Sequence, residues 1–202
     1  MSNQVDPTQC GDYEFVSRCQ NGNVEAFGVL VERYQKKMFN IAYRMTGDYD
    51  EAAEVVQEAF LAAYKAIKKF RGEASFSTWM TGIVLNHARN RLKQMKTRAH
   101  YEPVSLDDPP EDRDGKAGFD PPSGEISILE RLEKKDLREA VQETLNSLDT
   151  ESREVLILRD IQEYSYEEIG AILKIPDGTV KSRIFRAREA LKIRLKRRLG
   201  DL

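Results

Sequence analysis

The most informative stretch of the sequence lies near the C-terminus and reads Ser165-Tyr-Glu-Glu-Ile-Gly-Ala-Ile-Leu-Lys-Ile-Pro-Asp-Gly-Thr-Val-Lys-Ser-Arg-Ile-Phe-Arg-Ala-Arg188. Ser165 and Glu168 have the spacing of a capping box, which sets the start of a first short helix. The segment 176–178, Pro-Asp-Gly, ends that helix and can cap a second one. Two helices joined in this way are typical of a helix-turn-helix, which places its second helix in the major groove of DNA.

Apolar spacing in this stretch predicts which side chains face inward. In the second helix the residues at helical spacing are Val180, Ile184, Ala187, Leu191 and Leu195. This pattern leaves Lys181, Ser182, Phe185 and Arg186 on the outside. Gly170 is small at a point where the two helices must approach closely. The alternative interpretation is an ordinary helical hairpin with a solvated basic face.

Charge is strongly segregated along the chain, although the net charge is only −2 over 202 residues. Basic residues dominate 181–198 and 89–98, whereas acidic residues cluster at 48–58 and again at 102–125. Such segregation favours two kinds of partner, one polyanionic and one basic. Any single charged run could equally be a solvated helix face.

Several classes of protein are not favoured by the sequence. No apolar run approaches the length of a bilayer span, and the N-terminus lacks the pattern of a signal peptide, so we expect a cytoplasmic chain without membrane insertion. Cys10 and Cys19 are the only cysteines. They could form a redox pair, but cytosolic thiols are usually reduced. His87 and His100 do not complete a zinc spacing with them, so we expect neither metal nor cofactor.

Prolines and acids divide the chain. Residues 99–128 contain five of the seven prolines, with few apolar residues. Such a segment cannot bury enough surface to offset its ordering entropy. We therefore predict an all-α protein with two small helical domains, an N-terminal bundle at 12–98 and a helix-turn-helix domain at 129–199, joined by a flexible acidic, proline-rich linker at 99–128.

The N-terminal part shows helical periodicity, with a third predicted helix over about 77–96. The preceding loop, Phe70-Arg-Gly-Glu-Ala-Ser-Phe-Ser-Thr78, is polar and aromatic, and the helix carries asparagines and basic residues. Asparagine can bind base edges, arginine and lysine bind phosphates, and an aromatic loop can hold an unstacked base. This combination favours single-stranded DNA over duplex DNA.

Three blocks in the same order resemble the extracytoplasmic-function sigma factors, the minimal two-domain class of bacterial transcription initiation factors. Residues 54–60, followed by Ala63 and Tyr64, resemble the polymerase-binding helix of that family. Residues 70–79 with Asn86 resemble its promoter-melting loop and helix, and the 165–186 segment resembles its second DNA-binding domain. The resemblance covers about 170 residues. Gly82 departs from it, because many relatives have a larger or basic residue there.

The resemblance implies a role for each surface. The clamp coiled coil of the largest subunit of core RNA polymerase would be bound by Asp50, Glu54, Gln57 and Glu58. Single-stranded DNA of the downstream (−10) element would be bound by Phe70, Arg71, Ser75, Phe76, Asn86, Arg89 and Asn90. Duplex DNA of the upstream (−35) element would be bound by Thr179, Lys181, Ser182, Arg183, Phe185 and Arg186. The linker would run through the RNA exit path.

On this basis we expect a stress-responsive alternative sigma factor that promotes promoter melting and is controlled by an anti-sigma factor. We expect no catalytic residues and no small-molecule substrate, because the polymerase performs the chemistry. Two alternatives remain open. A conventional helix-turn-helix regulator would bind duplex DNA without polymerase, and a sigma-mimicking interaction protein would bind polymerase or an anti-sigma factor without supporting transcription.

Overall fold

A computed structural model describes residues 11–101 and 128–199, with side chains over 11–98 and 136–198. Every regular element in these ranges is helical, which confirms the all-α prediction. The α-helices are α1 (Asp12–Gln20), α2 (Val24–Thr46), α3 (Tyr49–Ala66), α4 (Phe76–Tyr101), α5 (Ile128–Ser147), α6 (Thr150–Leu156), α7 (Tyr166–Leu173) and α8 (Asp177–Leu199). A 3₁₀ turn, Ile67–Lys69, follows α3, and a π-helical turn, Ile157–Ile161, follows α6.

Local sequence signals set the helix boundaries of the N-terminal bundle, α1 to α4. The Asn23 side chain accepts a hydrogen bond from the Ala26 amide and begins α2. Gly47 ends α2 with φ +78°, a backbone conformation that favours glycine, and a Cβ there would also collide with the Asn146 side chain. The Asp48 carboxylate accepts from the Glu51 amide at 2.9 Å and begins α3.

The helix-turn-helix has the predicted local geometry. Ser165 and Glu168 form a reciprocal capping box at the start of α7. A Cβ at Gly170 would lie 3.0 Å from the Ile175 carbonyl oxygen, so glycine permits the close turn between α7 and α8. Val180, Ile184 and Ala187 are buried, as the periodicity predicts.

One continuous hydrophobic core runs through the helices on both sides of the 102–127 segment, which the sequence did not predict. Helix α7 packs against α4, and α5 and α6 pack against α2. Tyr164 is 3% exposed, and its hydroxyl lies 2.7 Å from the Thr81 hydroxyl and 2.9 Å from that of Ser77. The Lys37 ammonium lies 4.2 Å from the centre of the Tyr164 ring.

A second polar contact joins α6 to the end of α2. The Arg153 guanidinium is buried and donates to the Met45 carbonyl oxygen, to the Asn146 carbonyl oxygen at 2.5 Å and to that of Leu148 at 3.3 Å. Burial lowers the pKa of Arg153. The carbonyl of Met45 belongs to the C-terminal turn of α2, where the helix dipole favours a cation.

The predicted domain boundaries stay predictions, and most of the predicted linker, 102–127, lies outside the described residues. Helix α4 extends to Tyr101, three residues into the segment predicted as linker. None of the helices in the described ranges is both long and apolar enough to cross a bilayer.

Candidate polymerase and DNA interfaces

An acidic row lies on the solvent side of α3. Its predicted members Asp50, Glu54, Gln57 and Glu58 are all exposed. The inward positions of the same helix, among them Val55 and Ala59, are fully buried in the core. Helical periodicity therefore places the acidic residues on one face.

Arg91 of α4 forms ion pairs with glutamates on this face of α3. Its Nη1 lies 2.8 Å from Glu51 Oε2 and 2.6 Å from Glu54 Oε2, and its Nη2 lies 3.2 Å from Glu58 Oε1. Burial lowers the pKa of Arg91, but the hydrogen bond to Glu54 and the charges of the three glutamates outweigh that effect and raise it. The row is therefore presented by an ordered ion-pair network, a feature that the sequence analysis missed.

The loop 70–75 connects the 3₁₀ turn to α4. The rings of Phe70, Phe76 and Trp79 form a cluster, with centroids 4.9 Å apart between Phe70 and Trp79. Phe76 is buried, so its ring lies on the core side of the loop, whereas Arg71 is exposed. The Ser75 hydroxyl accepts from the Thr78 amide at 3.0 Å and begins α4. Gly72 has φ +74° at the turn of the loop.

The polar face of α4 is partly covered by the C-terminal helices. Asn86 and Asn90 are exposed. Arg89 binds Glu154 of α6 with both carboxylate oxygens engaged, Nη2 lying 2.8 Å from Oε2, and it also donates to Asn86 Oδ1 at 2.9 Å. Glu154 is 2% exposed. The hydrogen bond to Glu154 raises the pKa of the Arg89 guanidinium.

The outer face of α8 remains exposed to solvent. Phe185 is 70% exposed, and Lys181, Ser182 and Arg186 are also exposed. Arg186 Nε donates to the Ser182 carbonyl oxygen at 3.3 Å, a contact within its own helix. Arg183 pairs with Glu151 at 3.2 Å, and Thr179 is half-buried. Four of the six predicted upstream-element residues therefore share one accessible face.

A cleft of about 390 Å³ separates α4 from the C-terminal helices. Its lining includes the basic residues Arg89, Lys93, Lys96 and Arg183. On the same helix, Gly82 faces α7, and a Cβ there would lie 3.8 Å from the Ile172 carbonyl oxygen. Alanine would fit at this position, but a longer side chain would meet α7.

Cys19 is buried in α1, at 3% exposure, and burial raises the pKa of its thiol. Cys10 lies outside the described residues. Among those that are described, no three histidine, cysteine or acidic side chains group in a way that could hold a metal ion.

We expect the Cys19 thiol to react slowly, since the thiolate is the reactive species and a raised pKa makes it scarce at neutral pH. In a Cys10→Ser variant, alkylation by iodoacetamide should be at least about tenfold slower in the native protein than in urea. Equal rates would show that the Cys19 thiol is accessible in the native protein, as a redox role requires.

Comparison with known proteins identifies the family of this chain. The chain is 40% identical over 184 residues to the RNA polymerase sigma-H factor of Pseudomonas aeruginosa, which covers 91% of this chain and 93% of that protein. It is also 40% identical over 184 residues to the ECF RNA polymerase sigma-E factor of Escherichia coli K12, with the same coverage. The chain belongs to the extracytoplasmic-function sigma factors.

Two family models match separate parts of this sigma factor. The Sigma-70 region 2 model matches residues 30–98, and the Sigma-70 region 4 model matches residues 138–191. The acidic row, loop 70–75 and the polar face of α4 lie in the first match, and the helix-turn-helix lies in the second. Helix α1 lies outside both.

Solved structures show the same fold. CnrH, in complex with the cytosolic domain of CnrY, aligns with a TM-score of 0.65 and 27% identity over 92% of this chain and 97% of that chain. The sigma factor RpoE of Bartonella quintana, in complex with the anti-sigma factor NepR, aligns with a TM-score of 0.63 and 22% identity over 86% and 98%.

Proposed function

We propose that this sigma factor binds core RNA polymerase, recognises the −35 and −10 elements of its promoters and promotes their melting. The observation that carries the proposal is the presence of three distinct surfaces in one member of this family: an acidic row, an aromatic loop beside a polar helix, and an exposed basic recognition helix. The direct test is promoter-dependent transcription with core polymerase that lacks other sigma factors.

The acidic row supports a role in polymerase binding. Asp50, Glu54, Gln57 and Glu58 form an exposed acidic face that DNA would repel. A basic coiled coil on the largest polymerase subunit is complementary to this face. Because Glu54 and Glu58 are held by Arg91, little side-chain freedom is lost when such a partner binds.

The loop 70–75 and the exposed asparagines of α4 support a role in melting. A base flipped out of the duplex costs a few kcal/mol of unstacking, on the order of what aromatic stacking and hydrogen bonds to its edge return. Binding of the open form then shifts the promoter from closed to open. In this structure the Arg89 guanidinium is paired with Glu154, so this pair must separate if the same atoms are to contact a DNA strand.

The recognition helix supports binding of the upstream element. Lys181 and Arg186 can contact phosphates and base edges in the major groove, with Ser182 and Phe185 between them. The sigma factor RpoE of Bartonella quintana, which has the same fold, is solved in complex with the anti-sigma factor NepR, and we propose that an anti-sigma factor likewise controls this chain. The protein would act in the cytoplasm as a non-catalytic subunit, the polymerase supplying the chemistry.

Arg186→Ala tests the upstream surface. The side chain is exposed and its Nε donates to the Ser182 carbonyl oxygen of its own helix, so we expect normal folding and normal co-elution with core polymerase. Promoter-dependent transcription should fall about tenfold or more, because one groove contact is worth about 1–3 kcal/mol. Lys192→Ala, which removes an exposed charge lower on the same helix, is the matched control. Equal loss of polymerase binding and transcription would show that Arg186 is structural.

A further inference from the structure

Helix α1 contacts the segments on both sides of loop 70–75. It is anchored by Phe15, Val16 and Cys19, which are buried in the common core. Its last residue, Gln20, contacts the 3₁₀ turn that precedes the loop. Its first residue, Asp12, contacts α2. Because the apolar face fixes the helix, its polar ends are held at defined positions.

The start of the loop is tied to Gln20. The side-chain Nε2 donates to the Phe70 carbonyl oxygen at 2.8 Å and to the Ile67 carbonyl oxygen at 3.1 Å. The Ile67 carbonyl also accepts from the Phe70 amide at 3.1 Å, which closes the 3₁₀ turn. One amide group thus fixes the backbone at the point where the chain leaves α3 and enters the loop.

The end of the loop is supported through Asp12. Its carboxylate accepts from the Tyr34 hydroxyl and, at 2.5 Å, from Arg33 Nη1. Burial and this carboxylate both raise the pKa of Tyr34, so its hydroxyl remains a donor. The Tyr34 ring lies 5.4 Å from that of Phe76, the first residue of α4. Asp12 therefore orients the ring on which the loop's aromatic cluster rests.

The loop between these supports is exposed. Residues 71–73 are exposed, and Gly72 at their centre has φ +74°. Arg71 and Glu73 are 3.9 Å apart and mostly in water, a contact that adds little rigidity. A loop of this kind binds more tightly when its ends are already ordered, because less conformational entropy is lost on binding.

We propose that Gln20 and Asp12 are positioning residues that hold loop 70–75 in the shape required to capture an unstacked promoter base. The inference rests on the proposed function of the loop. It assigns α1, which neither family model covers, a part in promoter opening: α1 touches no DNA but sets the geometry of the segment that does.

The test compares two single strands. The full chain is assembled with core polymerase, and its affinity is measured for a fluorescent non-template strand of a mapped promoter and for the same strand with the captured base removed. Gln20→Met keeps the length of the side chain but removes both donors. We expect affinity for the intact strand to fall about five- to tenfold and affinity for the abasic strand to change less than about twofold.

Two further variants complete the design. Asn21→Ala removes a neighbouring amide that donates to the Ser17 carbonyl oxygen of α1, and it should match the wild type on both strands. Tyr34→Phe keeps the ring beside Phe76 but removes its bond to Asp12, and we expect a loss of about two- to threefold on the intact strand alone.

The outcomes distinguish the positioning role of α1 from base capture by the loop. An equal loss on both strands, or no loss on either, in Gln20→Met would overturn the positioning role. A wild-type holoenzyme that binds intact and abasic strands equally at every position would overturn base capture by the loop itself, whatever the variants do.

Discussion

Reversing two charges on the acidic row, in Glu54→Lys with Glu58→Lys, should abolish association with core polymerase. Both carboxylates are exposed on one face of α3, and a basic partner surface would meet two like charges. Like-charge contacts at an interface cost several kcal/mol, so we expect affinity to fall about 100-fold or more. Size-exclusion co-elution and fluorescence titration with core polymerase measure the effect.

Arg91 makes a sharp control possible. The two lysines would face Arg91 and remove two of its ion pairs, which could destabilise the fold by themselves. Adding Arg91→Glu together with Glu51→Lys reverses all three of these ion pairs, so opposite charges face each other within the chain while the outer face stays basic. We expect this quadruple variant to recover thermal stability but still fail to bind core polymerase. Recovered binding would show that the acidic row acts through folding, and normal co-elution of the double variant would contradict the assigned interface.

Arg153→Ala should strongly destabilise the fold. Arg153 is 6% exposed, and its guanidinium donates to three backbone carbonyls, those of Met45, Asn146 and Leu148. Each buried acceptor left without a partner costs about 1–3 kcal/mol, so we expect unfolding free energy to fall by about 3–5 kcal/mol. Urea denaturation followed by circular dichroism checks this value.

Arg159→Ala is the matched control for that prediction. Arg159 is half-buried and donates to a single carbonyl, that of Tyr164, at 2.8 Å within the C-terminal helices. We expect its loss to cost about 1 kcal/mol. If both variants lose the same small amount, Arg153 does not join α6 to α2 in solution. A change in the slope of the denaturation curve for Arg153→Ala alone would indicate that the two parts of the chain no longer unfold together.

Features encoded by neighbouring residues could be predicted from the sequence. The capping box of Ser165 and Glu168, the cap at Asp48 and the close approach at Gly170 each depend on contacts a few residues apart. Helical spacing likewise identified the inward face of α8 and left Phe185 and Arg186 on the outside. These signals were enough for the fold class and the helix-turn-helix.

Contacts between distant segments could not be predicted in this way. Arg89 and Glu154 are 65 residues apart, and Arg153 and Met45 are 108 apart. Periodicity reports which face of a helix is buried but not which other helix covers it. The sequence therefore predicted the two small helical domains, but not that their helices pack against each other in one core. The contacts of Gln20 with the loop and of Arg91 with α3 could not be predicted for the same reason, since both join residues far apart in the chain.

Run-off transcription shows whether this chain directs polymerase to promoters. Core polymerase free of other sigma factors is incubated with a fragment library of the host genome, with and without the chain. We expect discrete transcripts that appear only when the chain is present, with start sites that align on two common upstream elements. Binding to core polymerase without any transcript, or strong binding to duplex DNA without polymerase, would contradict it.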